Sequence, residues 1–94
     1  MPTLTGLDWD GRTAYEVANK GWYEGASLMM DDGRSIQLNV WDPVRLGQEV
    51  QAEFARGKSF FAEDHVIILP CITEAAIRQA VDQLIQKGFF GPVA

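Results

Sequence analysis

Hydrophobic and polar positions alternate most clearly in two neighbouring segments, residues 22–30 and 34–41. A short acidic break, residues 31–33, separates the two segments and ends in glycine. Side chains on a strand point to opposite faces in turn, so alternation across a short glycine-containing break is typical of a β-hairpin. The sequence therefore predicts a hairpin over these residues.

The register of this hairpin follows from its apolar side chains. A three-residue loop places Leu28 opposite Ile36 and Ala26 opposite Leu38, whereas a two-residue loop pairs apolar with less apolar positions. The three-residue loop needs a residue at positive φ in its last position, which Gly33 supplies. We predict a type I turn followed by a G1 bulge at Gly33.

Two later segments, residues 43–56 and 74–87, repeat their apolar residues every three or four positions, as amphipathic helices do. Asp42 and Thr73 precede them, and their side chains can accept hydrogen bonds from the free amides of a first helical turn. Gly88 follows the second segment, where a glycine at positive φ closes a Schellman motif. The sequence predicts a helix in each segment.

Residues 65–69 are predicted to form a strand, and the apolar run within it, residues 66–69, does not alternate. This pattern indicates a strand that is covered on both faces or that lies where the sheet meets a helix. Together these elements predict an α+β fold. We expect a three- to four-stranded antiparallel or mixed sheet that contains the hairpin and strand 65–69, with the two helices packed on one face.

Residues 12–18 fit two interpretations. Thr13, Tyr15 and Val17 alternate with their neighbours as in a strand, but Ala14, Val17 and Ala18 also share one face of a helix. We favour the strand.

The composition predicts one domain over residues 1–94, with residues 1–8 and 91–94 loosely held. Hydrophobic residues make up 47% of the 94 residues, and three tryptophans and five phenylalanines supply material for a core. Residues 1–10 have neither the basic nor the apolar part of a secretory signal. The longest apolar run, residues 66–69, is far shorter than the ~20 residues that span a bilayer. We expect no association with a membrane.

The charge and the cysteine content limit which partners and which cellular compartment we expect. The 13 acidic and 8 basic residues give a net charge of −5 and are scattered along the chain. An acidic domain repels phosphate backbones, so we expect no nucleic-acid ligand. The acidic surface suits a basic protein partner, although a role in solubility alone is the more common reason for such a charge. The single cysteine, Cys71, allows no disulfide within the chain, which suits the cytoplasm.

Catalytic residues are not indicated. Cys71 lies between strand 65–69 and the following helix, where a thiolate would be stabilised. His65, the only histidine, is about 20 Å away along an extended strand, too far to act as its base. We favour a buried structural role for Cys71, and the lack of spaced acidic or histidine ligands predicts no metal or cofactor.

The most unusual local string is Gly21-Trp22-Tyr23-Glu24-Gly25, in which aromatic residues lie between glycines. Its glycines permit close approach of a ligand or backbone, or alternatively mark a strand bulge. Taken together, the candidate binding residues are Trp22, Tyr23, Glu24, Trp41, Cys71 and Thr73.

Three functions fit these residues. The preferred one is a non-enzymatic protein-interaction or regulatory domain that binds a protein partner or forms a homodimer. The alternative is a small-molecule-binding domain or enzyme whose site lies between the hairpin and the start of helix 74–87, with Glu24 as acid or base. The third is a structural subunit of a larger assembly.

Overall fold

The computed structural model describes residues 2–7 and 9–91 and confirms an α+β fold. Its elements, in chain order, are β1 (Thr3–Thr5), α1 (Gly11–Lys20), β2 (Trp22–Tyr23), β3 (Ser27–Met29), β4 (Ser35–Gln37), β5 (Asn39–Trp41), α2 (Pro43–Ala55), β6 (Val66–Ile68) and α3 (Glu74–Gln86). In this described part of the chain, no helix is long and apolar enough to cross a membrane.

The strands form two three-stranded sheets, which corrects the prediction of a single sheet. The first has the order β1-β3-β4 and is antiparallel throughout. The second has the order β2-β5-β6, in which β5 runs antiparallel to β2 and parallel to β6. The second sheet is therefore mixed, and α2 is the crossover between its parallel strands.

A bulge in the predicted hairpin divides it between the two sheets. Tyr23 lies opposite Val40 in the second sheet. The amide of Leu38 donates to the carbonyl of Ala26, 3.0 Å away, at the start of the first sheet. Between these two pairings, two residues of one arm oppose a single residue of the other. Such an extra residue bends and twists the strand that carries it, which explains why the two ends of the hairpin belong to different sheets.

The turn of the hairpin confirms the predicted register. Leu28 lies opposite Ile36. At the tip, the Met30 amide donates to the Arg34 carbonyl at 2.8 Å, so the loop between them contains three residues. Gly33 closes this loop with a φ of +90°, as the predicted G1 bulge requires.

Residues 12–18 form most of α1, so the favoured strand interpretation was wrong. The Asp10 carboxylate caps the helix by accepting from the Thr13 amide at 2.7 Å. At the other end, the amide of Gly21 donates to the Val17 carbonyl at 2.8 Å, and Gly21 has a φ of +77°. These two caps fix the helix more strongly than the weak alternation favours a strand.

The other two helices and their predicted caps are confirmed. The Asp42 carboxylate accepts from a first-turn amide of α2 at 2.7 Å, and Thr73 does the same for α3 at 3.1 Å. At the end of α3, the Phe89 amide donates to the Leu84 carbonyl at 3.0 Å, and Gly88 has a φ of +77°. This is the Schellman motif that the sequence predicts.

The core lies on one face of the sheets, which we call the inner face and which carries Val40 and Ile67. Its fully or nearly buried side chains come from α1, from the strands and their flanks, and from α3 and the segment after it. They are Val17, Ala26, Leu28, Met30, Leu38, Val40, Ile67, Leu69, Ile72, Ile77, Val81, Ile85 and Phe90.

Helix α2 contributes no buried residue to this core, which corrects the prediction that both predicted helices pack on one face. Trp22 and Trp41 are paired across the strands and point to the opposite side, which we call the outer face. Residues of α2 lie beside Trp41 on that side. Helix α1, the alternative interpretation of residues 12–18, shares the core with α3 instead, through Val17.

The amino-terminal segment also contributes to the fold. Residues Thr3–Thr5, within the segment predicted to be loosely held, pair along their whole length with β3 as strand β1. Of the other predicted loose end, residues 92–94 lie outside the described part of the chain.

Candidate functional site

A cleft of about 220 Å³ opens on the outer face where β2, β5 and α2 meet. Strand β2 and the bulge after it supply Trp22, Tyr23 and Glu24, and β5 supplies Trp41. Helix α2 supplies Arg45 and Glu49, and the loop before β6 supplies Glu63. We call this the acidic aromatic cleft.

Two tryptophans form the aromatic wall of the cleft. Trp22 lies directly opposite Trp41 in the strand register, and their ring centroids are 6.3 Å apart with the planes at 42°. The ammonium of Lys20 lies 5.6 Å from the centre of the Trp22 ring. One face of the Trp22 ring is therefore already in contact with a cation of the chain itself.

Close packing at Gly21 holds the start of α2 beside the cleft. The Asp42 amide donates to the Gly21 carbonyl at 2.8 Å. A Cβ atom at Gly21 would lie 2.6 Å from the Asp42 carboxylate and 2.7 Å from Cβ of Arg45. Only glycine permits this approach, so the join between α1 and β2 also positions the helix that carries Arg45.

The carboxylates of the cleft influence one another. Burial raises the pKa of Glu63 above its ordinary value. The indole N–H of Trp41 opposes this shift, while the nearby negative charges of Glu24 and Glu49 add to it. Three carboxylates that repel one another attract a cation more strongly than one carboxylate does.

Two buried hydrogen-bond donors in the cleft have no acceptor among the described residues. They are Nε1 of Trp41 and Nε of Arg45. The indole N–H thus lies near Glu63 without completing a hydrogen bond of normal geometry. Among the described residues, Arg45 forms no ion pair with a carboxylate, whereas the other four arginines do: Arg12–Glu16, Arg34–Asp32, Arg56–Glu53 and Arg78–Glu74.

A wider groove of about 600 Å³ continues from the cleft along the last turns of α2. It shares Trp41, Glu49 and Glu63 with the cleft and adds Phe60 and Phe61 from the loop. The Phe60 side chain is 71% exposed. An exposed phenylalanine beside the cleft widens the aromatic surface that a partner can contact.

The structure brings four of the candidate residues together. Trp22, Tyr23, Glu24 and Trp41 all line the cleft, whereas Cys71 and Thr73 do not. Cys71 is exposed, so the buried position predicted for it is wrong. The Thr73 hydroxyl is occupied as the cap of α3. The cleft that gathers these four residues lies between the hairpin and α2, away from the start of α3.

Tyr23 has a structural role as well. Its hydroxyl donates to the Gly6 carbonyl, and its ring meets Trp9 edge to face with the centroids 5.2 Å apart. These contacts tie the amino-terminal segment to β2 behind the cleft. Tyr23 therefore positions the wall that carries Trp22.

Sequence reasoning missed Arg45, Glu49 and Glu63. Arg45 and Glu49 are one helical turn apart, and Arg45 follows Trp41 by four residues, so both were visible as polar residues on the predicted helix. What could not be seen was that α2 packs on the tryptophan side. Glu63 comes from a loop whose path no local pattern indicates.

The residues considered for catalysis are apart from one another. His65 precedes β6 and packs against Phe89 and Phe90, with ring centroids 6.2 and 6.0 Å away, while Cys71 follows the same strand. Across residues 2–7 and 9–91, no three or more His, Cys, Asp or Glu side chains are grouped to hold a metal ion.

Comparison with known proteins gives no match: no protein-family model, curated protein or solved structure is significantly similar to this chain. The chemistry of the cleft is therefore the basis for a functional assignment. Its aromatic faces and carboxylates can bind a cation.

Proposed function

We propose that this chain is a non-enzymatic protein-interaction domain that binds a basic segment of a partner protein in the acidic aromatic cleft. The observation that carries the proposal is the convergence of Glu24, Glu49 and Glu63 with the rings of Trp22 and Trp41. The net charge of −5 supports the same kind of partner, because it attracts basic proteins over longer distances.

The chemistry of the cleft favours a lysine or arginine side chain as the group that is bound. A cation over the face of a tryptophan gains about 0.5–2 kcal/mol, most when the contact is shielded from water. Carboxylates at the rim add attraction and steer the approach of the partner. Trp22 and Trp41 supply the aromatic residues that commonly dominate binding energy at interfaces.

The size of the cleft favours a side chain over a free small molecule. Its volume of about 220 Å³ is below the roughly 300–1,000 Å³ of most small-molecule sites. The neighbouring groove of about 600 Å³ can take the residues on either side of the bound side chain. A short segment of a partner protein would use both spaces.

The test is a calorimetric titration of the chain with a lysine-rich hexapeptide at low salt, with a glutamate-rich hexapeptide as the negative control. We expect the Glu63→Gln variant to bind the basic peptide several-fold more weakly. Asp82→Asn is the matched variant, because Asp82 is an exposed residue of α3 and its substitution removes the same charge.

Equal weakening by Glu63→Gln and Asp82→Asn would mean that overall charge, and not the cleft, attracts the peptide. A chain that binds neither peptide would contradict the proposal altogether. Binding of the basic peptide that is lost in Glu63→Gln and kept in Asp82→Asn is the expected result.

A further inference from the structure

Strand β6 lies at the edge of its sheet, although its composition is typical of a strand inside one. In the order β2-β5-β6 only one side of β6 is paired. Residues 66–69 are all apolar, whereas β1 and β4, the edge strands of the first sheet, each carry two polar side chains. An apolar edge without charged side chains is open to pairing with a further strand.

The backbone of β6 is arranged for pairing on its free side. Alternate residues of a strand direct their N–H and C=O groups to opposite sides. The Leu69 amide donates to the Trp41 carbonyl at 2.9 Å, so Leu69 and Ile67 face β5. Val66 and Ile68 therefore direct both of their backbone groups to the free side, where they can form up to four hydrogen bonds.

An apolar groove of about 290 Å³ runs beside this free edge. Residues 66–69 form one wall, and Ala80, Leu84 and Phe89 supply the apolar side chains of the other. Ile68 is 52% exposed and Phe89 is 49% exposed. A strand that pairs with β6 would therefore gain apolar contacts in addition to backbone hydrogen bonds.

The charge of the groove suits a second copy of β6. Among the described residues that line it, Lys87 alone is charged, so an uncharged apolar strand fits best. Residues 66–69 are the longest apolar run of the chain. When two copies of β6 run antiparallel, the Asp64 carboxylates lie at opposite ends of the pair, about 20 Å apart, where salt screens their repulsion.

The register of β6 is also complementary to itself. An antiparallel pair centred on Ile67 places Val66 of each copy opposite Ile68 of the other. Both of these pairs are hydrogen-bonded pairs, and they join β-branched side chains, which pack well across strands. Pro70 has no N–H, so the ladder ends at the same residue in each copy.

We infer that two copies of this chain pair through β6, antiparallel and about a two-fold axis at Ile67, and so form one continuous six-stranded sheet. Each copy uses its one free β6 edge, so the assembly closes at two chains. In this dimer β6 becomes the internal strand that its composition predicts. The acidic aromatic cleft contains no residue of β6, so this inference goes beyond the proposed function and does not depend on it.

Sedimentation equilibrium of the full chain, from about 1 µM to about 1 mM, tests the assembly. We expect a reversible equilibrium between monomer and dimer. Ile68→Lys places a charge on the free edge and should raise the dissociation constant roughly tenfold or more, because the two-fold axis repeats the change. Val44→Lys is the matched control: Val44 is 72% exposed on α2, outside the groove, and its variant should dimerise as the wild type does.

Amide hydrogen exchange of the wild-type chain, followed by NMR, tests which surface pairs. The amides of Ile67 and Leu69 face β5 and should be protected at every concentration. Those of Val66 and Ile68 should be protected only at concentrations where the dimer forms. Protection that appears at every second residue of β6 is specific to strand pairing, and a dimer formed through another surface would not produce it.

Three results would overturn the inference. A chain that stays monomeric at about 1 mM would leave the edge to a strand of another protein. A dimer that persists unchanged in folded Ile68→Lys, as judged by circular dichroism, would mean that the copies meet elsewhere. A dimer whose Val66 and Ile68 amides stay unprotected would mean the same. In each case the binding of basic peptides by the cleft, measured separately by calorimetry, would be unaffected.

Discussion

The inner and outer faces of the sheets are built from different kinds of side chain. On the inner face, α3 contributes Ile77, Val81 and Ile85, all buried. On the outer face, α2 contributes no buried side chain, and its Val44 and Phe54 are 72% and 48% exposed. Both helices have 13 residues and a polar cap of the same design, so their length and caps do not explain the difference.

The difference lies in what each helix packs against. Helix α3 covers aliphatic side chains and excludes water, which makes it a main source of stability. Helix α2 lies beside two tryptophans and a group of glutamates, and the space between them stays open as a cleft. The comparison indicates that close packing stabilises the fold on the inner face, whereas the outer face leaves an open cleft.

The largest expected effect is on the inner face. Replacing Ile77, which has no exposed surface, with alanine should lower the free energy of unfolding by about 2–5 kcal/mol, because it leaves a cavity. Val44→Ala on α2 is the control and should change it by no more than about 0.5 kcal/mol. Denaturant unfolding of both variants measures the contrast, and similar losses would contradict the two-face account.

The second largest effect is expected at Gly21, which lies between α1 and β2 and packs against the start of α2. Gly21→Ala places a side chain at a φ of +77° and against the Asp42 carboxylate, so we expect a loss of roughly 1–3 kcal/mol in the free energy of unfolding. Gly47→Ala is the matched control. It lies within α2 with nothing within 4 Å of its Cβ and should stabilise by about 0.5–1 kcal/mol.

Opposite signs for these two glycine substitutions, measured by thermal or denaturant unfolding, are the expected result. A neutral Gly21→Ala would mean that the start of α2 is not held where the structure places it. The open space at Gly47 also shows that this face of α2 does not pack closely on the sheet.

Much of the local structure was predictable because it depends on short-range chemistry. The three-residue loop at Gly33 follows from the match of Leu28 with Ile36, and the caps of α2 and α3 follow from Asp42 and Thr73. Helix α1 had the same kind of signal in Asp10. The alternation in residues 12–18 nevertheless led us to favour a strand over a helix there.

The remainder depends on contacts between distant segments. Strand β1 exists because Thr3–Thr5 pair with β3, and nothing within three residues of sequence indicates a strand. The division into two sheets depends on the bulge after Tyr23, which the sequence left as an alternative. Trp22 and Trp41 were recognisable as candidate binding residues, but their glutamate neighbours are set by how α2 and its following loop pack.

A smaller effect is expected from pH at the cleft. Burial holds the pKa of Glu63 above its ordinary 4.5, with the charges of Glu24 and Glu49 raising it further and the Trp41 indole lowering it. Arg45 is the basic group that lines the same cleft. As pH falls through this raised pKa, Glu63 becomes neutral and the affinity for a basic peptide should weaken.

The contribution of Glu63 to stability should change with pH in the opposite direction to the peptide affinity. A raised pKa in the folded chain means that Glu63 favours folding below its unfolded pKa and loses this contribution as pH rises through the folded value. Glu63→Gln should therefore be slightly more stable than wild type at pH 7, and the gain should disappear in acid. Unfolding curves over that pH range check the sign, and a Glu63→Gln variant that is clearly less stable at pH 7 would contradict it.

The most direct test of the central claim uses the three tryptophans as reporters. Trp22 and Trp41 line the cleft, whereas Trp9 packs against the core and Tyr23. A ¹H–¹⁵N NMR titration with the lysine-rich hexapeptide resolves the three indole N–H signals separately. The account predicts that the indole N–H signals of Trp22 and Trp41 shift in a saturable way and that the signal of Trp9 does not shift. Shifts confined to Trp9, or to amides of α3, would contradict the assignment of the outer face as the binding surface.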